Sequence, residues 1–372
     1  MDYGIFSMPL HHPSREWRTV LEEDREMMIL ADKLGYSEAW IGEHVASTAE
    51  PIVSPLMFLA SVAAQTKSIR FGTGVVNLPH HHPALLAGEI AMLDQLSGGR
   101  VMLGIGPGSL RSDAELFGDH DGGRRARMMM ESIDTMIKLW TEDPPYNFDT
   151  EFWPVSMSKS LLLEYGVGKP GKPLQKPHPP IAITLRSPQS ASAELAAQRG
   201  WIPISGNFVP SSHIAGHWPG YAAVRDKLNL PADPSIWRVA RSIVITETDE
   251  EAREYVHRED GGMRFYFTYL FTLASIRGQD NVTLTDESRA QVAEKVEDAL
   301  ENMVISGSAQ TVLDKLIALR DEIGHFGTLL ATGHDWDDAV LWKSALRRLA
   351  EDVMPRFSQH ADADLASSRA AE

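Results

Sequence analysis

Cysteine is missing altogether from the 372 residues of this chain. Its absence excludes disulfides, thiolate nucleophiles and thiolate metal sites together, and fits a reducing compartment. Basic charge is scarce too: 35 Lys plus Arg stand against 51 Asp plus Glu, a formal net charge of −16. A field of that sign repels phosphate backbones and anionic lipid, so nucleic acid is not an expected partner. The N-terminus, MDYGIFSMPLHHP, has neither a basic start nor a long apolar run. Neither a signal peptide nor a membrane anchor is expected, and the reading is a cytoplasmic protein. No G-x-G-x-x-G fingerprint follows the first strand-like run, which disfavours a Rossmann fold.

What is present is ordinary for a globular protein: 43% hydrophobic and 23% charged residues, enough for one large α/β core. Short β-rich runs alternate with amphipathic stretches. The runs are residues 2–6, SEAWIGEH, IRFGTGVVN (Ile69 to Asn77), Arg100 to Ile105, PPIAITL, WIPIS, WRVARSIVIT and FGTLLA. Helical patterns follow them, among them Trp17 to Leu34 with Gly35 as its stop, Pro83 to about Leu96, and RRARMMMESIDTMIKLW. Eight strands in βα order predict an α/β fold, a (β/α)8 TIM barrel forming a single domain over residues 1–357. Insertions are expected after strands 4 and 7. The first, 141–177, carries six of the 22 prolines; the second, 258–286, carries the aromatic run MRFYFTYLF. The Ala/Ser/Asp-rich residues 358–372 read as a disordered tail.

In such barrels chemistry gathers at the C-terminal ends of the strands. Strand two ends in Glu43-His44, a carboxylate and the side chain most easily tuned to move protons near neutral pH; a hydrogen-bonded structural histidine is the alternative. Strand three ends in Asn77, an amide able to meet a ring edge or to form a turn, followed by His80, His81 and His82. Consecutive loop histidines seldom converge on one ion, so no metal site is expected. The loop from Gly104 to Ser109 lets backbone approach a flat ligand or makes a tight turn, and is no P-loop because no Gly-Lys-Ser/Thr follows. Arg124, Arg125 and Arg127 open a helix at its positive end, a misfit that points either to a bound anion or to solvated surface. Ser187 reads as an N-cap with Pro188 at the first helical position, a helix start suited to capping or to holding phosphate. Phe265, Tyr266, Phe267, Tyr269 and Phe271 form a packed helix face or line an apolar pocket.

Taken in order, SEAWIGEH, GTGVVNLPHHHPALLAGEIAMLDQLSGGR, GIGPGSLRSDAELFG and SPQSASAELAAQRG resemble the bacterial luciferase-like flavin-dependent monooxygenase superfamily across nearly the whole chain. SPQS, DPPYNF and QKPHPPIAI look most like its limonene-monooxygenase branch. The resemblance implies a two-component monooxygenase. A partner NAD(P)H-dependent flavin reductase would supply reduced FMN (FMNH2), which reacts with O2 and delivers one oxygen atom through a flavin C4a-hydroperoxide to a small, apolar substrate. It also implies a homodimer. His44 matches the active-site histidine; Asn77 would contact the flavin ring and Gly106 would permit its approach; Arg125, Ser187 and Ser190 would hold the phosphate. Luciferases carry other residues where this chain has Val45, Gly106 and Pro107, so the light reaction is not carried over. A deazaflavin-dependent oxidoreductase and a non-catalytic flavin-binding protein are the alternatives.

Overall fold

Runs such as VMLGIG and RVARSIVI are apolar at successive rather than alternate positions, the pattern of strands covered on both faces, and every residue in both is buried. Eight strands close into a parallel barrel in the computed structural model, which describes residues 1–8, 10–188, 190–276 and 284–371. They are β1 (Asp2–Ser7), β2 (Glu38–Ile41), β3 (Arg70–Thr73), β4 (Val101–Gly106), β5 (Ile181–Leu185), β6 (Ile202–Ser205), β7 (Arg238–Ile245) and β8 (Thr328–Gly333). Each pairs in parallel with the next, and β8 returns to β1 with Thr328 opposite Asp2 and Gly333 opposite Ser7. The TIM barrel expected from the βα rhythm is therefore the fold.

The barrel interior is filled by Phe6, Trp40, Met102, Ala182, Ile202, Ile204, Ala240 and Leu330, at least one residue from every strand except β3. β3 contributes a gap instead. A Cβ on Gly72 would stand 2.1 Å from the Trp40 ring, and one on Gly104 would stand 2.0 Å from the Thr73 carbonyl oxygen. The indole N–H of this fully buried tryptophan donates to Glu38 at 2.7 Å, and Arg238 pairs with the same carboxylate at 3.1 Å. A charge buried in the barrel is thus both paired and hydrogen-bonded, as burial requires.

Local signals account for most helix boundaries. Ser54 caps Pro55–Ala63, His82 caps Pro83–Ser97 with Pro at the first turn, and Gly35 follows Trp17–Lys33 at φ +81°. Three elements differ from expectation. The third strand is two pieces, β3 and Val76–Asn77, separated at Gly74–Val75, and the second piece pairs with β4. An extra strand, Val304–Gly307, lies against Ser242–Ile245, because the eight-residue β7 outruns its pairing with β8. The expected disordered tail is instead continuous with the helix Met354–Ala371, with Phe357 and Ala361 buried. Its alanines are the strongest helix formers and outweigh the polar composition. Glu372 lies outside the described residues.

Both excursions follow the strands expected. The first carries the antiparallel hairpin Tyr146–Phe148/Val155–Met157, tied down where the Glu131 carboxylate accepts the N–H groups of Glu151, Phe152 and Trp153 at 2.7–2.8 Å. The second supplies the helix Gly262–Ser275, and its residues 277–283 lie outside the described residues.

Adding one methyl group at Gly72 should be costly, since the Trp40 ring has no room to retreat. Gly72→Ala is expected to lower unfolding stability by about 1–3 kcal/mol or more, read from urea denaturation midpoints. An unchanged midpoint would contradict the packing of Trp40 into β3.

Candidate active site

The C-terminal ends of the strands open into a cavity of about 1430 Å³. That exceeds the roughly 300–1,000 Å³ of ordinary small-molecule pockets and leaves room for two organic molecules side by side. Phe6, Val75, Ile105, Ile183 and Ile204 come from the strand ends; Tyr269, Leu270, Phe271 and Leu273 come from the helix Gly262–Ser275. The aromatic run thus divides between both alternatives: Tyr266 and Phe267 are buried in the core, while Tyr269 and Phe271 face the cavity.

His44 lines the cavity with a side chain 22% exposed. Its Nδ1 lies 3.0 Å from Asp113 Oδ2, and the other Asp113 oxygen accepts the N–H groups of Val45 and Ala46 at 3.1 and 2.7 Å. With Nδ1–H fixed on the carboxylate, Nε2 is the atom left to act, and it faces Glu50 Oε1 at 3.5 Å. Tyr269 donates its hydroxyl to Glu50 Oε2 at 2.8 Å and shares a hydrogen bond with Ser47. Burial is the largest single influence on His44 and pulls its pKa down. The hydrogen bond to Asp113 and the charges of Glu50, Asp113 and Glu43 together outweigh it, so the imidazole sits above its ordinary value. Burial likewise presses upward on Asp113, but His44 and the two N–H groups bring that carboxyl below its usual range. Burial pushes Glu50 up, against the opposing pull of His44.

Glu43, the other half of the sequence pair, is spent on architecture. Its carboxylate accepts the Asn77 N–H at 3.0 Å and pairs with His81 at 2.7 Å, while its carbonyl accepts from the Asn77 amide at 3.1 Å. Asn77 is thereby fixed at the cavity wall beside Gly106, where a Cβ would meet Val75 at 2.7 Å. The three consecutive histidines diverge: His80 stacks on Phe117, His81 holds Glu43, and His82 accepts the N–H of Ala84. Elsewhere, His11, Glu23 and Asp335 stand close enough to share a cation, but the Arg15 guanidinium bridges Glu23 and Asp335 at 2.8 Å. Burial opposes charge on His11, yet Asp24 and Asp335 drive its pKa up to about 9, a second internal cation.

The arginine misfit is partly resolved within the chain. The helix runs Gly122–Thr141, and the anion at its start is Asp121, which caps Gly123 and Arg124. Arg124 pairs with Asp119 and Arg127 with Glu151. Arg125 lines the cavity; one guanidinium N–H reaches the Asp119 carbonyl, while its Nε is buried with no partner among the described residues.

The Ser187 cap is a correction. The helix after β5 is Ala191–Arg199, its N-cap is Ser190, and Ser187 and Pro188 stay in an exposed loop. The Ser187 carbonyl instead accepts from His217 at 2.9 Å, a tertiary contact that the local Ser-Pro signal does not report. Gln189 lies outside the described residues. The Ser190 hydroxyl makes no capping bond. His44, Asn77, Gly106 and Arg125 therefore share one cavity, whose wall continues through Arg186, Ala191 and Ser192, the residues flanking Ser187 and Ser190. Asp113 and Glu50 were not foreseen, nor was the bond from Tyr269 to Glu50; Asp113 sits 69 positions from His44, and no local pattern reports so distant a pairing.

Replacing Asp113 by asparagine removes the negative partner at Nδ1. In Asp113→Asn the His44 ring should titrate below its wild-type pKa, followed by histidine ring resonances in NMR; an unmoved titration would contradict the pairing.

A family model described as luciferase-like monooxygenase matches residues 1–325. The chain is 31% identical to 4-hydroxyprotoasukamycin monooxygenase of Streptomyces nodosus subsp. asukaensis, covering 99% of this chain and 95% of that protein. It is 27% identical to limonene 1,2-monooxygenase of Rhodococcus erythropolis, over 96% and 87%. Among solved structures, the oxygenating constituent of 3,6-diketocamphane monooxygenase from Pseudomonas putida, a type II Baeyer-Villiger monooxygenase in complex with FMN, superposes with a TM-score of 0.81 at 28% identity, covering 95% and 98%.

Proposed function

The chain belongs to the luciferase-like monooxygenase family, and from that premise we propose that it is the oxygenase component of a two-component flavin-dependent monooxygenase. It takes FMNH2 from a separate NAD(P)H-dependent reductase and, with O2, transfers one oxygen atom to a small apolar organic substrate. The observation that carries this reading is one cavity lined both by an anchored His44 and by Arg125, whose buried Nε has no partner among the described residues, with Ala191 and Ser192 of the following helix start on the same wall.

These residues fit FMN. The phosphate would rest on Arg125, Ser187, Ser190 and the N–H groups opening Ala191–Arg199, where backbone dipoles favour an anion. Gly106 and Val75 would pass beneath the ring, with Asn77 at its edge. Bound FMNH2 supplies the electrons that activate O2. The chain's own share is positional and protic: Asp113 fixes the His44 tautomer, so Nε2 is the atom that holds or yields a proton. Leu270, Phe271 and Leu273 cover the cavity and exclude water, and with Met8, Ile52 and Phe208 they offer the apolar surface a hydrocarbon-rich substrate needs.

Two further parts belong to the proposal. The neighbouring helices Pro55–Ala63 and Pro83–Ser97 expose Met57, Leu85, Met92 and Leu96 at 60–76%. An exposed apolar face of this kind marks an interface, here with a second copy of the chain. As part of the same proposal the protein works in the cytoplasm as a single barrel domain; separately, among the described residues no helix is long and apolar enough to cross a membrane.

Anaerobically reduced FMN mixed with oxygenated buffer tests the function. Wild type should delay the return of oxidised-flavin absorbance relative to free FMNH2, and His44→Ala should shorten that delay by on the order of 10²-fold, the lower end of what a positioned acid–base group contributes. Reoxidation at the free rate in both proteins would sink the reading. For the dimer, light scattering should give twice the chain mass in wild type and one chain mass in a Met92→Lys/Leu96→Lys variant; an unchanged mass would exclude this face.

A further inference from the structure

Ser187 and Pro188 are exposed, yet the Ser187 carbonyl is held from inside the protein. His217, fully buried at the start of the helix His217–Lys227, places Nε2 2.9 Å from that oxygen. Its Nδ1 lies 2.8 Å from Ser205 Oγ, which in turn lies 2.8 Å from Trp237 Nε1, and both of these residues are fully buried.

The two ends of this chain fix its direction. An indole N–H only donates and a carbonyl only accepts. With the ring neutral, Ser205 accepts from Trp237 and donates its hydroxyl hydrogen to Nδ1, so Nε2 carries the imidazole hydrogen and donates to the Ser187 carbonyl. The ring must be neutral for this arrangement. Burial, the largest influence, holds the His217 pKa below its ordinary value, and the neighbouring His213 and Arg241 push the same way against the Ser187 bond.

A second contact secures the same corner. A Cβ on Gly216 would stand 3.0 Å from the Pro188 carbonyl oxygen, so the residue preceding His217 receives the carbonyl following Ser187. Gly216 has φ −83°, so its lack of a side chain answers this close approach rather than a backbone requirement. Two successive carbonyls of an exposed loop are therefore seated against the buried His217 and its half-buried neighbour Gly216. His217 is not on the cavity wall among the described residues; its ring reaches the loop that leads into Ala191–Arg199, the helix against which His217–Lys227 packs.

We infer that His217 is a positioning residue for the phosphate end of the flavin site, setting through the Ser187 carbonyl where Ser187, Ser190 and the first N–H groups of Ala191–Arg199 stand. This rests on the phosphate placement proposed above.

The test compares reduced FMN with reduced riboflavin, which lacks the phosphate, in anaerobic equilibrium titrations. Wild type should bind FMN more tightly. His217→Phe, which keeps the bulk of the ring but donates nothing, should weaken FMN about tenfold while leaving riboflavin within about twofold. His217→Gln, whose amide N–H replaces Nε2–H, should restore most of the difference. Should the Phe variant fail to fold, Gly216→Ala leaves the buried chain intact and displaces only the Pro188 carbonyl; it should show a smaller loss in the same selective direction. Equal weakening of both flavins, or no change in FMN affinity in any of the variants that fold, would overturn the inference. The two readings fail separately. If Arg125→Ala and Ser190→Ala lower the preference for FMN while the His217 and Gly216 variants do not, only the role of His217 falls. If wild type shows no preference for FMN over riboflavin, the phosphate placement itself falls, and this inference with it.

Discussion

Trp40 fills the barrel against Gly72 and Gly104, and its indole N–H needs a partner in a place water cannot reach. Glu38 provides it, and Arg238 and Thr328, from β7 and β8, hold Glu38 in turn. One side chain therefore demands two glycines and a paired charge from across the barrel, and satisfying it brings β2, β3, β4, β7 and β8 together. The cavity follows from this closure. Phe6 and Gly74, both near Trp40 in the packing, form part of its lining, so the depth of the site depends on how the tryptophan beneath it is seated.

Above that floor, polar groups are arranged so that each reactive atom is left over after its neighbours are committed. Asp113 takes His44 Nδ1 and leaves Nε2; Glu43 takes the Asn77 backbone N–H and fixes its amide at the wall. His217 holds the Ser187 carbonyl, and the Ser190 hydroxyl makes no capping bond. A chain of net charge −16 repels an anionic cofactor at long range. The cavity answers locally, with Arg111, Arg125 and Arg186 on its wall. Glu43, Glu50 and Glu115 line the same cavity, so what would favour a phosphate there is the placement of these guanidiniums, since nearby, partly desolvated charges interact more strongly than distant screened ones.

Much of this was legible in the residues. β-rich runs and amphipathic stretches located all eight barrel strands and both excursions, because burial on two faces writes consecutive apolar residues and helix packing writes a 3.6-residue period. His44, Asn77 and Gly106 were placed at strand ends and Arg125 at the start of a helix, and the structure lines one cavity with them. What escaped was set by distance or by tertiary competition. Asp113 reaches His44 from a separate short helix, and Tyr269 reaches Glu50 across 219 positions. The Ser187-Pro188 pair has the form of a helix start, but a histidine 30 residues on claims its carbonyl, and the helix begins at Ala191. The strand Val304–Gly307 escaped notice because it lies outside the βα repeat, between the helices Asp286–Asn302 and Ala309–Ile323, where the eight-unit rhythm leaves no place for a strand.

The most direct measurement of the central claim is a crystal structure of the protein with FMN bound. The account places the phosphate against Arg125 and Ser190 at the start of Ala191–Arg199, with the ring between His44 and the Val75–Gly106 wall. Flavin bound outside this cavity, or within it but with its phosphate beside His44, would contradict the account.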